Sequence, residues 1–405
     1  MHRGWLSGLM LLACLAGSAQ AEDVAPAGDR FGACRAALAD QARARGIPER
    51  IVESALLPVR YQARVIELDR AQPEFRQSFA AYLRARVSAA RINTGRLMLA
   101  SYPELWSRLL DEYGVPGRYL VAFWGLETNY GGFLGGMPTL DVLATLACDD
   151  RRPSFFTEQL MTALGLIERE GIEPSVMRGS WAGAMGHTQF MPSTWRDHAI
   201  DGDGDGRIDL WNSIPDAMAS AANYLADLGW RRGERWGREV RLPDDFPYEQ
   251  TGLDRRQPLS HWRSLDVRTT SGERLPDVDL DGAVLVPMGH RGPAFLVYPN
   301  FETIVAWNRS QSYALSVGHL ADRIVGGGPL DAGLPDVDRA PARATILALQ
   351  QRLIELGYDP GEADGLMGPA TRAALRDWQG GQGRIADGYP DPDTLRALGV
   401  DPGSA

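Results

Sequence analysis

Glu127 is the one acid in Tyr119-Leu120-Val121-Ala122-Phe123-Trp124-Gly125-Leu126-Glu127-Thr128-Asn129-Tyr130-Gly131-Gly132, an otherwise mostly apolar stretch. At 3.6 residues per turn, Leu120, Phe123 and Trp124 share a helix face with Glu127, so its carboxyl projects from an apolar stripe. Low-dielectric surroundings disfavour the ion, and the group stays protonated near neutrality, able to give a proton to a leaving oxygen. A buried ion pair with an arginine of a neighbouring helix is the competing reading. Against it stands the turn Asn129-Tyr130-Gly131-Gly132, which would open the carboxyl to a cleft.

A second segment complements the acid. Gly179-Ser180-Trp181-Ala182-Gly183-Ala184-Met185-Gly186-His187-Thr188-Gln189-Phe190-Met191-Pro192 combines small residues with hydrogen-bonding Ser180 and Gln189 and apolar Met185 and Phe190. It reads as the floor of a groove for a polar polymer. A tight helix-packing segment would explain the small residues but not Gln189.

A third concentration of chemistry is acidic. Asp201-Gly202-Asp203-Gly204-Asp205-Gly206-Arg207-Ile208-Asp209 places carboxylates at positions one, three, five and nine, Gly at six and Arg207 at seven, the start of an EF-hand-like calcium loop. Four like charges so close repel unless neutralised. Position twelve is Asn212 rather than the usual Glu. A similar prefix, Asp277-Val278-Asp279-Leu280-Asp281-Gly282, runs into apolar residues and reads as a polar turn before a strand.

Composition removes other chemistries. All 42 basic residues of the 405-residue chain are Arg, which excludes a Walker A lysine, a Schiff-base lysine and a Ser-Lys dyad. The formal charge of −10 argues against a nucleic-acid surface, and none of the six His lies in an HExxH pattern. His2 and Arg3, the apolar run Trp5 to Ala16 and the small-residue site Ala19-Gln20-Ala21 read as a cleavable signal peptide over residues 1–21. The run is too short to span a bilayer, and nothing later is long enough. Leu11-Leu12-Ala13-Cys14 is a loose lipobox-like match that would make Cys14 a lipid anchor, a weaker fit than the later cleavage site. Cys34 and Cys148 then remain, as a disulfide or as two buried thiols.

The elements that must position these groups follow from periodicity. Phe31 to about Gly237 is mostly helical. Between about 240 and 300, Ala283-Val284-Leu285-Val286 and Ala294-Phe295-Leu296-Val297-Tyr298 read as strands between Gly and Pro turns. Helix returns after Phe301 to about Ile324. Residues 329–341 have the composition of a tether, and 342–401 form a compact unit of three helices.

Gly125-Leu126-Glu127-Thr128-Asn129-Tyr130-Gly131, Gly183-Ala184-Met185-Gly186 with Gln189-Phe190-Met191-Pro192, and Ala306-Trp307-Asn308-Arg309-Ser310 with Tyr313-Ala314 together resemble the lytic murein transglycosylase B family, glycoside hydrolase family 103. Leu349-Gln350-Gln351-Arg352-Leu353, Asp364-Gly365-Leu366-Met367-Gly368-Pro369 and Trp378-Gln379 resemble the type 1 peptidoglycan-binding domain. The resemblance implies a mainly α fold with a small β subdomain, lysozyme-like in its core, in a catalytic domain over 22–328.

It also implies cleavage of the β-1,4 bond between N-acetylmuramic acid and N-acetylglucosamine without water, leaving 1,6-anhydro ends, with Glu127 as acid and then base. Ordinary glycosidases need a second carboxylate. By motif position Ser180, Met185 and Gln189 would line the groove, and Trp307, Asn308 and Tyr313 the cleft, Trp307 stacking on a sugar. Tyr224 would be a wall hydrogen-bonding near Glu127. Arg151 and Arg152 would meet a stem peptide or lactyl carboxylate, or form a solvated helix start or surface ion pairs.

The implied loop is closed by Asp216, with Ca2+ structural and no organic cofactor. The partners implied are peptidoglycan glycan strands and proteins of cell-wall synthesis or remodelling, with no nucleic acid and no membrane span. The place of action implied is the periplasm of a Gram-negative bacterium. A hydrolytic muramidase and a non-catalytic wall-binding scaffold are the alternatives.

Overall fold

The computed structural model describes residues 27–71, 77–334 and 341–403. The expected signal peptide and Cys14 lie outside the described residues. As the sequence predicts, the described residues before Gly237 are mostly helical, and the helix Gly117–Thr128 runs through the middle of the domain. Tyr119, Leu120, Val121, Ala122 and Phe123 are all fully covered, so this helix is buried nearly all round rather than along one stripe. Helices Gln311–Ile324 and Ala89–Ser101 pack against it. Cys34 and Cys148 form a disulfide that ties the helix Ala27–Ala44 to the end of the helix Thr139–Ala147. Among the described residues no helix is long and apolar enough to cross a membrane.

A five-stranded antiparallel sheet follows, in the order Gln257–Pro258, Asp281–Leu285, Ala294–Val297, Gly237–Arg241, Arg268–Thr269. Its two central strands are the expected apolar runs, paired with Ala283 opposite Val297 and Leu285 opposite Phe295. Because side chains alternate faces, Ala283, Leu285, Phe295 and Val297 join the helical core. Val284, Leu296 and Ala294 face a second small core around Phe246, Leu259 and Trp262. Burial on both faces explains why these strands read as continuous apolar runs. The strand Gly237–Arg241 was not anticipated, because Gly-Arg-Glu-Val-Arg carries little apolar signal of its own.

The C-terminal module contains helices Arg343–Glu355, Pro369–Gly381 and Pro392–Leu398 around Leu349, Leu353, Leu375 and Leu395. Gln350, almost fully buried, accepts from the N–H of Gly365 and donates to the Thr371 hydroxyl, fixing the Asp-Gly turn. The segment expected to be a tether departs from that expectation at its start. Glu239 accepts from the N–H groups of Asp331 and Ala332, and Leu330 and Leu334 pack on the helical core. Two leucines at that spacing bury apolar surface that a tether composition does not suggest. His290 donates its backbone N–H to Asp387 and hydrogen-bonds the same oxygen through Nδ1, joining the module to the sheet domain.

Candidate active site

The helix Gly117–Thr128 stops because Asn129 adopts a left-handed conformation (φ 50°), its N–H closing on the Gly125 carbonyl. Tyr130 is left-handed as well (φ 61°) and donates its hydroxyl to the Arg91 carbonyl. Two consecutive non-glycine residues in this region mark stored backbone strain one turn from the acid. Gly131 (φ 82°) completes the turn where any Cβ would meet the His187 ring at 2.4 Å.

The turn leaves Glu127 partly exposed at the end of a buried helix. Its Oε1 accepts from the Tyr313 hydroxyl at 2.5 Å and from the Trp307 indole N–H at 2.9 Å. Oε2 has no hydrogen-bond partner among the described residues and is the oxygen left for a ligand. Burial pushes the carboxyl up to about 7, against the opposing pull of Tyr313, Trp307 and the Arg86 charge. Burial and the neighbouring carboxylate hold the Tyr313 phenol well above its usual range, so it stays a donor. Among the described residues, Arg86 is the one charged group whose field acts on Glu127.

Trp307 is the centre of an aromatic wall. Its ring lies 4.6 Å from Phe123, 5.1 Å from Tyr224 and 5.6 Å from Phe190. Asn308 follows it, exposed at the end of the helix Pro299–Asn308. The small-residue segment forms a folded loop in which Met185 bridges both Gly179 and Phe190. Ser180 Oγ accepts from the N–H groups of Ala182 and Ala184, which leaves its proton to donate. Gln189 is left-handed (φ 51°) and donates to the Leu134 and Gly186 carbonyls, which leaves Oε1 as an acceptor. The close approach behind it depends on Gly135, where a Cβ would sit 2.1 Å from the Gly179 backbone.

Several expectations need correction. Met185 is fully covered and carries the loop's packing rather than a groove wall. Tyr224 packs edge-on against Phe190 and tilted against Trp307 and His198 but makes no hydrogen bond to Glu127; the two donors are Trp307 and Tyr313. Trp124 lies about 60° round the helix from Glu127, on the side away from Phe123, and donates its indole N–H to His187 Nδ1 rather than facing the acid. Arg151 and Arg152 both ion-pair with the buried carboxylate of Asp69 at 2.8 Å, the surface ion-pair alternative, since Asp69 needs compensation.

His187 and Thr128 were missed. Thr128 donates its hydroxyl to the His187 carbonyl, so the two pin the acid helix to the loop. A lone histidine among small residues gives no signal for this, and its partners lie about sixty residues away.

In the acidic loop, carboxylate oxygens of Asp201, Asp203 and Asp205 all lie within 4.8 Å of one another, a donor set that suits a hard divalent cation. Arg207 donates its N–H to Asp205. Asp209 caps the N–H groups of Trp211 and Asn212. Asp216, almost fully buried, accepts from the N–H groups of Gly202 and Asp209, so it fastens the two ends of the loop instead of joining the cluster. The Asp277–Asp281 stretch forms no comparable cluster among the described residues.

Residues 30–322 match the model of the Transglycosylase SLT domain, and residues 343–398 that of a putative peptidoglycan binding domain. Membrane-bound lytic murein transglycosylase B of Escherichia coli K12 is 31% identical over 260 residues, 60% of this chain and 67% of that protein. The structure of SltB3 from Pseudomonas aeruginosa in complex with NAG-anhNAM-pentapeptide shares 42% identity and a TM-score of 0.87, covering 91% of this chain and 99% of that one. The Escherichia coli lytic transglycosylase SLT35 in complex with calcium shares 27% identity and a TM-score of 0.61, over 72% and 92% of the two chains.

Proposed function

Because the chain belongs to the lytic transglycosylase family of the SLT domain and is an enzyme acting on peptidoglycan, we propose that Glu127 alone serves as acid and then base in cutting the β-1,4 MurNAc–GlcNAc bond. The observation that carries this reading is the asymmetry of its carboxyl: Oε1 holds two donors, while Oε2 has no partner among the described residues.

Near neutrality the proton sits on Oε2 and passes to the glycosidic oxygen as the C1–O bond breaks. The carboxylate so formed is stabilised at Oε1 by Tyr313 and Trp307. It then takes the proton of the sugar's own C6 hydroxyl as that oxygen bonds to C1, which gives a 1,6-anhydro end and restores the acid. Atoms balance without water, so no second carboxylate is required, and among the described residues the charge acting on Glu127 is a cation, Arg86.

The aromatic wall of Trp307 and Tyr224, the Ser180 hydroxyl, Gln189 Oε1 and exposed Asn308 would hold the sugar and its peptide, a ligand of the class seen in the SltB3 complex. Asp201, Asp203 and Asp205 would hold Ca2+, which would fix the loop and take no part in the chemistry; calcium in SLT35 supports this. The disulfide suits an oxidising compartment, and with the relative's name it supports action in the periplasm. Mass spectrometry of digested cell-wall sacculi tests the reaction. Anhydro-MurNAc ends are expected; reducing ends would make the enzyme a hydrolase, and an undegraded sacculus would make it a scaffold.

A further inference from the structure

A cleft of about 370 Å³ lies on the seam between the sheet domain and the C-terminal module. Two guanidinium groups line it, Arg372 and Arg376, both from the helix Pro369–Gly381. Arg376 is only 5% exposed, yet its Nε and Nη1 find no acceptor among the described residues. Burying guanidinium N–H groups without acceptors is costly, and an anion that accepted from them would offset that cost.

Asp254, Asp377 and Asp387 act on Arg376 through space, and Asp387 on Arg372, but no hydrogen bond joins a carboxylate to either guanidinium among the described residues. Asp387 already accepts from His290, Gln379 and Tyr389, and Asp254 pairs with Arg255 at 3.2 Å. The first turn of the same helix, Pro369 and Ala370, also lines the cleft and adds the positive end of a helix dipole. Burial disfavours the charged form of both arginines and outweighs the opposing pull of Asp254 and Asp387, so a hydrogen-bonding anion would still be favoured there.

We propose that this cleft binds a free carboxylate of a peptidoglycan stem peptide, through Arg372 and Arg376. A planar carboxylate matches the guanidinium fork, and an extended peptide fits a narrow interdomain cleft better than a sugar does. The choice of a stem peptide rests on the chain's action on peptidoglycan. Because one wall of the cleft comes from each domain, an occupant would engage the catalytic domain and the wall-binding module at once. It would tether the strand to the enzyme without touching the chemistry.

The test uses the full chain carrying Glu127→Gln and isothermal titration with three probes: a sugar-free stem pentapeptide with free carboxylates, the same peptide fully amidated, and acetate. The free peptide is expected to bind one to one, with amidation, Arg372→Gln and Arg376→Gln each weakening it at least tenfold. Ala373→Phe keeps both charges and fills the cleft, so it decides the matter if an arginine variant fails to fold, and it is expected to weaken binding as much. Unchanged affinity in the variants overturns the site, and acetate binding as tightly as the peptide reduces it to an adventitious ion only. Product analysis of the chain with Glu127 intact reads the catalytic proposal separately, so either can fail alone.

Discussion

Glu127 and the Asp201–Asp205 loop are both built from carboxyl groups, and their surroundings drive them in opposite directions. Around Glu127 a buried helix and an aromatic wall leave the side chain only partly exposed, and the carboxyl rises to about 7 although two donors favour its ion. In the loop the side chains are solvated, and Asp201 is held below its usual range, first by the N–H of Gly206 and then by that of Gly204. One region therefore keeps a proton that can be transferred; the other keeps charges that converge and call for a cation. Burial against hydrogen bonding decides which carboxyl becomes an acid.

The sharpest way to break this contrast is Glu127→Gln, which preserves shape and removes the transferable proton. Turnover should fall by about 10²–10⁴-fold, with retention on isolated cell walls unchanged in a sedimentation assay. The equivalent change in the loop, Asp203→Asn, or chelation of the wild type, should act on stability instead. A cation at a hundredfold excess over its dissociation constant contributes roughly 3 kcal/mol, so the melting temperature should drop several degrees while kcat at 25 °C holds.

Tyr313→Phe sharpens the acid side of the comparison. Losing a hydrogen bond to a charged group, about 1.5–3 kcal/mol, should raise the Glu127 pKa further, move the alkaline limb of kcat/KM upward and lower kcat about tenfold. The smallest effect concerns stability. Glu127 has a folded pKa of about 7 against an ordinary 4.5, so the folded state holds its proton longer. Wild-type stability should therefore decline as pH rises from 4.5 through 7. Glu127→Gln should flatten that decline by roughly 1–3 kcal/mol, read from urea midpoints at pH 5 and pH 8.

The acid itself was legible because an ionisable residue inside an apolar helix violates the local pattern. Its donors were not, since Trp307 and Tyr313 lie 180 and 186 residues away and their pairing is a product of tertiary packing. The central strands declared themselves by apolar runs, whereas Gly237–Arg241 becomes a strand because Ala294–Val297 pairs with it. Met185 looked like a groove wall from its type, and only the loop's double bridge shows that it is sealed inside. For Arg151 and Arg152 the sequence left ligand and ion pair equally open; a buried Asp69, eighty-odd residues earlier, decides for the ion pair.

The most direct measurement is a carbon-13 NMR titration of the Glu127 side-chain carboxyl in the full-length protein, assigned by its absence in Glu127→Gln. A midpoint near 7, shifting upward in Tyr313→Phe, is the result expected of an acid kept protonated by burial. A midpoint at or below 4.5 would mean the group is ionised at neutral pH and has no proton to give.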